Sequence, residues 1–206
     1  MTWNWLGWIV WICAVAFLCW TIHYIRVQQL MLIAKTKKAF SAKLFWRYVG
    51  LLVVALVWLG GMSYLTFFRH VDIKNNNQTY ISTKYKPLQL HNSKDNYYYV
   101  EAERSKNGSR PVISYTYWAE GNKITTNSRF GSVADGDRVI PLEASTLPWS
   151  RAKLAKENSA TGQAFAAEMT VHYKNTVLNG LGLRANRDAF TYTLLRVPSS
   201  DMVSEH

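Results

Sequence analysis

Apolar and polar positions divide the chain at Phe68. Before it, two stretches, Trp5 to Ile25 and Tyr48 to Phe68, each run 21 residues without a charge. At ~1.5 Å rise per residue each makes a helix of about 32 Å, long enough to cross the hydrocarbon core of a bilayer. Beyond Phe68 the apolar period shortens to two and turn residues recur. The pattern predicts a membrane helical hairpin of two transmembrane helices over residues 1–68 and a polar tether over 69–79. An extracytoplasmic α+β domain, mainly antiparallel β, follows over 80–198, with a frayed tail over 199–206.

Inside the polar part, Tyr97 to Arg104 alternates. Tyr98, Val100 and Ala102 take one face, and Tyr97, Tyr99, Glu101 and Glu103 the other. Asn107-Gly108 is the dipeptide of a type I′ hairpin turn, and strands from Pro111 to Ala119 and from Lys123 to Asn127 complete a meander. Gly131 to Asp137 reads as loop and Arg138 to Leu142 as a short strand. Ser150 stands as N-cap of a two- or three-turn helix that begins RAKLAKE. Gln163 to Lys174 alternates again, with Phe165, Ala167, Met169, Val171 and Tyr173 together. Asn179-Gly180-Leu181-Gly182 breaks the chain, and Asp188 to Val197 forms a last strand, ended by Pro198.

Charge sharpens the division. The net charge of +11 splits into +6 over the first 68 residues, which hold no acid, and +5 over the rest. A pI near 9.7 alone would invite a nucleic-acid reading. Here more than half of the excess, Arg26, Lys35, Lys37, Lys38, Lys43 and Arg47, sits between the two apolar runs. That is where membrane proteins keep cations on the cytoplasmic side, so nucleic acid is not an expected partner. The same rule puts the loop 26–47 in the cytoplasm of a multi-pass cell-membrane protein, with the N-terminus and the domain outside. Val27, Leu30, Met31 and Ala34 follow helical spacing, so the first helix is expected to continue along the membrane surface. Its basic residues would meet anionic lipid at about 1 kcal/mol each.

Met1 to Trp5 carries no Lys or Arg, so the first run lacks the basic flank of a cleavable signal peptide. Seven of the nine tryptophans fall before Phe68, as interfacial anchoring requires. Gly60-Gly61 marks a kink or a close helix approach in the second run. Both cysteines, Cys13 and Cys19, lie in the first run about 240° apart and read as small apolar residues.

The run YKNTVLNGLGLRANRDAFTYTLLRVP, Tyr173 to Pro198, together with the two-helix layout, resembles small two-pass membrane proteins of lactobacillus-type Gram-positive bacteria. The resemblance implies a domain facing the cell wall and brings no activity or site with it.

Candidate chemistry is sparse. Ser150-Arg-Ala-Lys153 matches S-x-x-K, in which a lysine activates a serine. With 15 Ser and 13 Lys in the chain, chance supplies about one such match, and its companion motifs S-D-N and K-T-G are absent. Helix capping accounts for Ser150 better. Glu101 and Glu103 stand about 7 Å apart on one strand face, near glycosidase separations, but glycosidases set their acids across a cleft. Beside Tyr97 and Tyr99 they offer stacking and acceptors to a sugar or a cationic peptide; the bland reading is a solvated strand. Asp135-Gly-Asp137 has too few oxygens for calcium, and the histidines show no metal-like spacing. No cofactor or metal is expected. The expected role is non-catalytic binding of an envelope component or membrane partner. A hydrolase using Ser150/Lys153 or Glu101/Glu103 is the alternative.

Overall fold

A computed structural model of the chain describes residues 2–37, 40–70, 72, 76–93, 96–105, 111–135 and 139–205. The chain divides into two compact units. One comprises Met1–Thr79 and Tyr173–Arg187, the other Tyr80–His172 and Asp188–His206.

The first unit is built on α1 (Asn4–Thr36) and α2 (Ala42–Ser63), the latter continued by a π-helical turn (Tyr64–Phe68). Both are long and apolar enough to cross a membrane. They touch through small residues, with Ala14, Thr21 and Ala55 almost wholly buried, as helices pack when lipid leaves little hydrophobic drive between them. Thr21 satisfies its hydroxyl on Phe17 O at 2.8 Å, the Phe17 and Trp58 rings stand 5.9 Å apart, and Trp11 Nε1–H reaches Thr66 Oγ1 at 3.3 Å. Outward residues such as Ile12, Val53 and Val57 stay exposed.

The segment Tyr173–Arg187 completes this unit, around the short helix α4 (Val177–Leu181). Thr176 caps α4 by accepting the Asn179 N–H, and the buried Asn179 Nδ2 donates to Gln78 O and Lys174 O, each at 2.9 Å. Asn4 grips Ala185 twice at 3.0 Å: its Oδ1 accepts the Ala185 N–H and its Nδ2 donates to the Ala185 carbonyl. Glycine is required at the seam. A Cβ on Gly7 would overlap Gly180 O and come within 2.8 Å of Leu183 Cδ2. One on Gly180 would overlap the Trp3 backbone, and one on Gly182 would sit 2.8 Å from Leu65 O.

The second unit holds two four-stranded sheets and a small hairpin. The first sheet has the order β1 (Thr79–Pro87), β8 (Phe165–Tyr173), β9 (Asp188–Arg196), β7 (Gly131–Ala134). The second runs β10 (Val203–Glu205), β4 (Val100–Arg104), β5 (Ile113–Ala119), β6 (Asn122–Asn127), and β2 (His91–Ser93) pairs with β3 (Asn96–Tyr98). Phe165, Met169, Tyr192 and Leu194 pack on one side with Trp149 and with Leu154 of α3 (Arg151–Ala160). Ala166, Leu195 and Val197 pack on the other side with Val100 and Tyr117 of the second sheet. β8 and β9 are therefore covered on both faces. The buried Arg196 ties the layers: its Nε donates to Asn158 Oδ1 at 3.1 Å and its Nη1 to Ala134 O at 3.3 Å.

The basic segment 26–47 is mostly helix: α1 runs on to Thr36, about 50 Å in all, as the spacing of Val27, Leu30, Met31 and Ala34 predicts, and α2 begins at Ala42. Several other expectations are corrected. Gly60 and Gly61 approach nothing within 4 Å, and the helix departs from α geometry at Tyr64 instead. Gly131–Ala134, expected as loop, is a strand parallel to β9 because Thr126 and Thr193 pack where only a glycine at 131 leaves room. Residues 139 and 140 form bends and Leu142–Ala144 a 3-10 turn, where a strand was expected. The tail is not frayed: Ser200–Met202 turn and β10 pairs parallel with β4. The segment holding Asn179-Gly-Leu-Gly is a helix that packs with α1. Asn107, Gly108, Gly136 and Asp137 lie outside the described residues, although β4 and β5 do pair antiparallel.

The seam yields a test. Gly7→Val or Gly180→Ala should lower the melting temperature of the detergent-solubilised protein, since overpacking against backbone costs about 1–3 kcal/mol. Gly60→Ala, with open space around it, should leave it unchanged or slightly raised. Equal melting of all three variants would mean that the seam contributes nothing to stability.

Candidate functional site

The strand expected to carry the tyrosine–glutamate face is interrupted. Tyr97 belongs to β3 and is 58% exposed, Tyr98 is buried, and Tyr99 lies between strands. Tyr99 donates its N–H to Met202 O at 2.9 Å and packs, half-buried, against the core that holds Val100 and Tyr117. Glu101 is half-buried and Glu103 exposed, both on β4. Tyr98, Val100 and Ala102 do point inward, as the alternation requires. Ser150 occupies the N-cap position of α3 without a side-chain cap bond; it and Lys153 are both exposed.

Of the basic residues, Arg26 and Lys35 are exposed on α1, Lys43 and Arg47 on α2, and Lys37 closes α1 in a left-handed conformation with φ 51°. Lys38 lies outside the described residues. At the far end of α2, Arg69 follows the π turn and Arg184 reaches it from the Tyr173–Arg187 segment. Arg184 donates to Thr66 O at 2.6 and 3.0 Å and to Arg69 O at 2.7 Å, capping the last carbonyls of the π turn. A cation there also suits the helix dipole. Burial, then the charge of Arg184, holds Arg69 below the usual arginine value.

The second unit contains a cleft of about 470 Å³ lined by Arg104, Ile113, Tyr115, Val133, Asp135 and Ser200, with Ala102 and Val203. It offers one cation, one carboxylate and two hydroxyls, those of Tyr115 and Ser200, among apolar side chains. Deeper in the unit, burial and then the Glu168 carboxylate push the Tyr117 phenol above its usual value, opposed by its hydrogen bond with Thr193.

A further set of residues was not singled out by sequence reasoning. Ser82 Oγ stands 2.8 Å from His172 Nε2, and His172 Nδ1 stands 2.6 Å from Asp188 Oδ1. The three come from the adjacent strands β1, β8 and β9. A register shift aligns them: Val171 pairs with Phe190 but His172 pairs with Asp188, so one residue of β9 is passed over. Without that bulge His172 would face Ala189. Bulges re-aim side chains in this way. Tyr80 stacks on the imidazole at 4.8 Å and 24°. Sequence offered no signal, since the members are separated by 90 and 16 positions and the bulge is invisible in the alternation. Among the described residues no group of three or more His, Cys, Asp or Glu is placed to hold a metal.

Single alanine substitutions across residues 97–99 separate surface from core. Tyr98→Ala should cost roughly 3–5 kcal/mol in a denaturation experiment, as for a buried aromatic. Tyr97→Ala should stay within about 0.5 kcal/mol of wild type, and Tyr99→Ala should fall between them. A destabilising Tyr97→Ala beside a neutral Tyr98→Ala would reverse the assignment of the two faces.

No curated protein and no solved structure matches the chain. A family model does match, over residues 2–204, and the family takes its "-like" name from a Lactobacillus locus tag rather than from an activity. With a match over nearly the whole length, the chain belongs to this Lactobacillus-named family.

Proposed function

We propose that the chain is a two-pass membrane protein whose helices span the cell membrane and whose β unit lies outside, where it binds a component of the envelope. The low burial of the helices supports the first part. Only 17% of the most apolar window of α1 and 11% of that of α2 is buried. Helices that apolar would be covered in a soluble fold; exposed patches of this size call for lipid. The distribution of Arg26, Lys35, Lys37, Lys38, Lys43 and Arg47 supports the orientation, with anionic lipid at the inner surface.

The binding role rests on the cleft of the second unit. Arg104 and Asp135 at a concavity of about 470 Å³ with mixed polar and apolar walls suit a ligand that carries both charges and an apolar part, as a short peptide of the cell wall does. Convergent polar groups beside apolar side chains in a concavity are the usual form of a ligand site. Both side chains are exposed, so removing either should spare the fold.

Two measurements test the reading. In a Cys13/Cys19-free background, Arg129→Cys should react with a membrane-impermeant thiol reagent in whole cells and Lys43→Cys only after lysis. The reverse pattern would invert the orientation. Arg104→Ala and Asp135→Ala should each weaken retention of the solubilised full-length protein on isolated cell walls, by about tenfold for a lost charged contact. Retention equal to wild type in both would remove the cleft from the proposal.

A further inference from the structure

We propose that Ser82, His172 and Asp188 form a nucleophilic site of the serine-hydrolase kind, with Ser82 Oγ as nucleophile, His172 as general base and Asp188 as the group that orients the imidazole. This does not rest on the cleft or on the orientation in the membrane, because all three residues and their contacts lie within the second unit.

The order of contacts carries the assignment. A serine hydroxyl at one imidazole nitrogen and a carboxylate at the other is the arrangement that lets a histidine accept the serine proton while keeping its tautomer. Here the distances are 2.8 Å at Nε2 and 2.6 Å at Nδ1. Such sets are recognised by geometry, not chain order, and Ser…His…Asp is simply another order. The strands of a sheet ordinarily present neighbours without regard to chemistry; this alignment needs the register shift at Val171/His172. The stacked Tyr80 ring fixes the plane of the imidazole. Ser82 is half-buried and His172 retains 22% side-chain exposure, so both are within reach of a small substrate. Lys84, two residues along β1, lies on the Ser82 face by strand alternation and is exposed.

The substrate class is a carboxylic ester. Ser82 Oγ bonds to the acyl carbon as its proton passes to His172 Nε2; that proton then goes to the departing alkoxide, which leaves as an alcohol. Water repeats the sequence in reverse, releasing the carboxylic acid and restoring the serine. The Asp188 side chain is 65% exposed, so solvent screens its hold on the imidazole. A relay of this strength suits esters, whose leaving groups depart more readily than amines.

The test uses the full-length protein in detergent with a fluorophosphonate, which phosphonylates activated serines with loss of fluoride. Ser82 should be modified among the 15 serines. His172→Gln should slow the modification at least about tenfold, and Asp188→Asn should slow it less, about threefold to tenfold. Wild-type protein should also hydrolyse p-nitrophenyl acetate in a Ser82-dependent manner, with Ser82→Ala melting as wild type does. An unmodified Ser82 in folded wild-type protein overturns the proposal, as does a rate unchanged in His172→Gln. If His172→Gln fails to fold, Asp188→Asn decides alone: its side chain is largely in solvent, and an unchanged rate there is equally fatal.

Discussion

A helix end leaves its last carbonyls without intrahelical partners. In this chain the end of α2 is met by the protein itself. The π turn from Tyr64 to Phe68 widens the helix, and Arg184 places three of its nitrogens on the Thr66 and Arg69 carbonyls. That arrangement requires the Tyr173–Arg187 segment to come down close to both helices. The segment approaches so closely only because positions 7, 180 and 182 have no Cβ. The NGLG sequence is thus explained by contact more than by turn formation. Gly180 is a helical residue here, at a propensity cost of up to about 1 kcal/mol that the packing must offset.

Parts of this were legible in the sequence and parts were not, for separable reasons. Twenty-one-residue apolar runs state their own length requirement, and strands such as β8 and β9 announce themselves by alternation. Elements fixed by partners distant in sequence gave no comparable sign. β10 is three residues of a polar tail, ordered by parallel pairing with β4. β7 is four residues that begin at a buried glycine and reads as loop until β9 is beside it. Tyr97 to Arg104 alternated so cleanly that a break at Tyr99 was unreadable. The break exists because Tyr99 turns its N–H to Met202, in the same tail that was expected to fray. The break at Tyr99 and the order of the tail therefore rest on one contact.

The Ser82–His172–Asp188 chain shows why site chemistry is harder to read than fold. Each member is an unremarkable residue on its own strand, and His172 even sat on the face expected to be polar. What unites them is a one-residue slip between β8 and β9. Side chains alternate with a period of two, so such a slip exchanges the face a residue presents. It brings Asp188 to the side of His172, and nothing in the local sequence reports it. The S-x-x-K match was visible and led to an exposed helix start. A pattern within one segment finds local geometry, whereas a relay spread over three strands depends on register.

Electrostatics favours keeping the two proposed activities of the second unit distinct. The cleft holds a cation and a carboxylate, both exposed, where water and salt moderate their attraction for a ligand. The relay instead uses short hydrogen bonds whose worth depends on direction, and direction is fixed by the sheet backbone, by the bulge and by the Tyr80 ring. Loss of a cleft charge changes affinity without disturbing the relay. Loss of Asp188 frees an imidazole still stacked and still bonded to Ser82, so the residual order of the site, rather than the carboxylate's charge, sets how much reactivity survives. β1, which carries Ser82, is an edge strand of its sheet among the described residues.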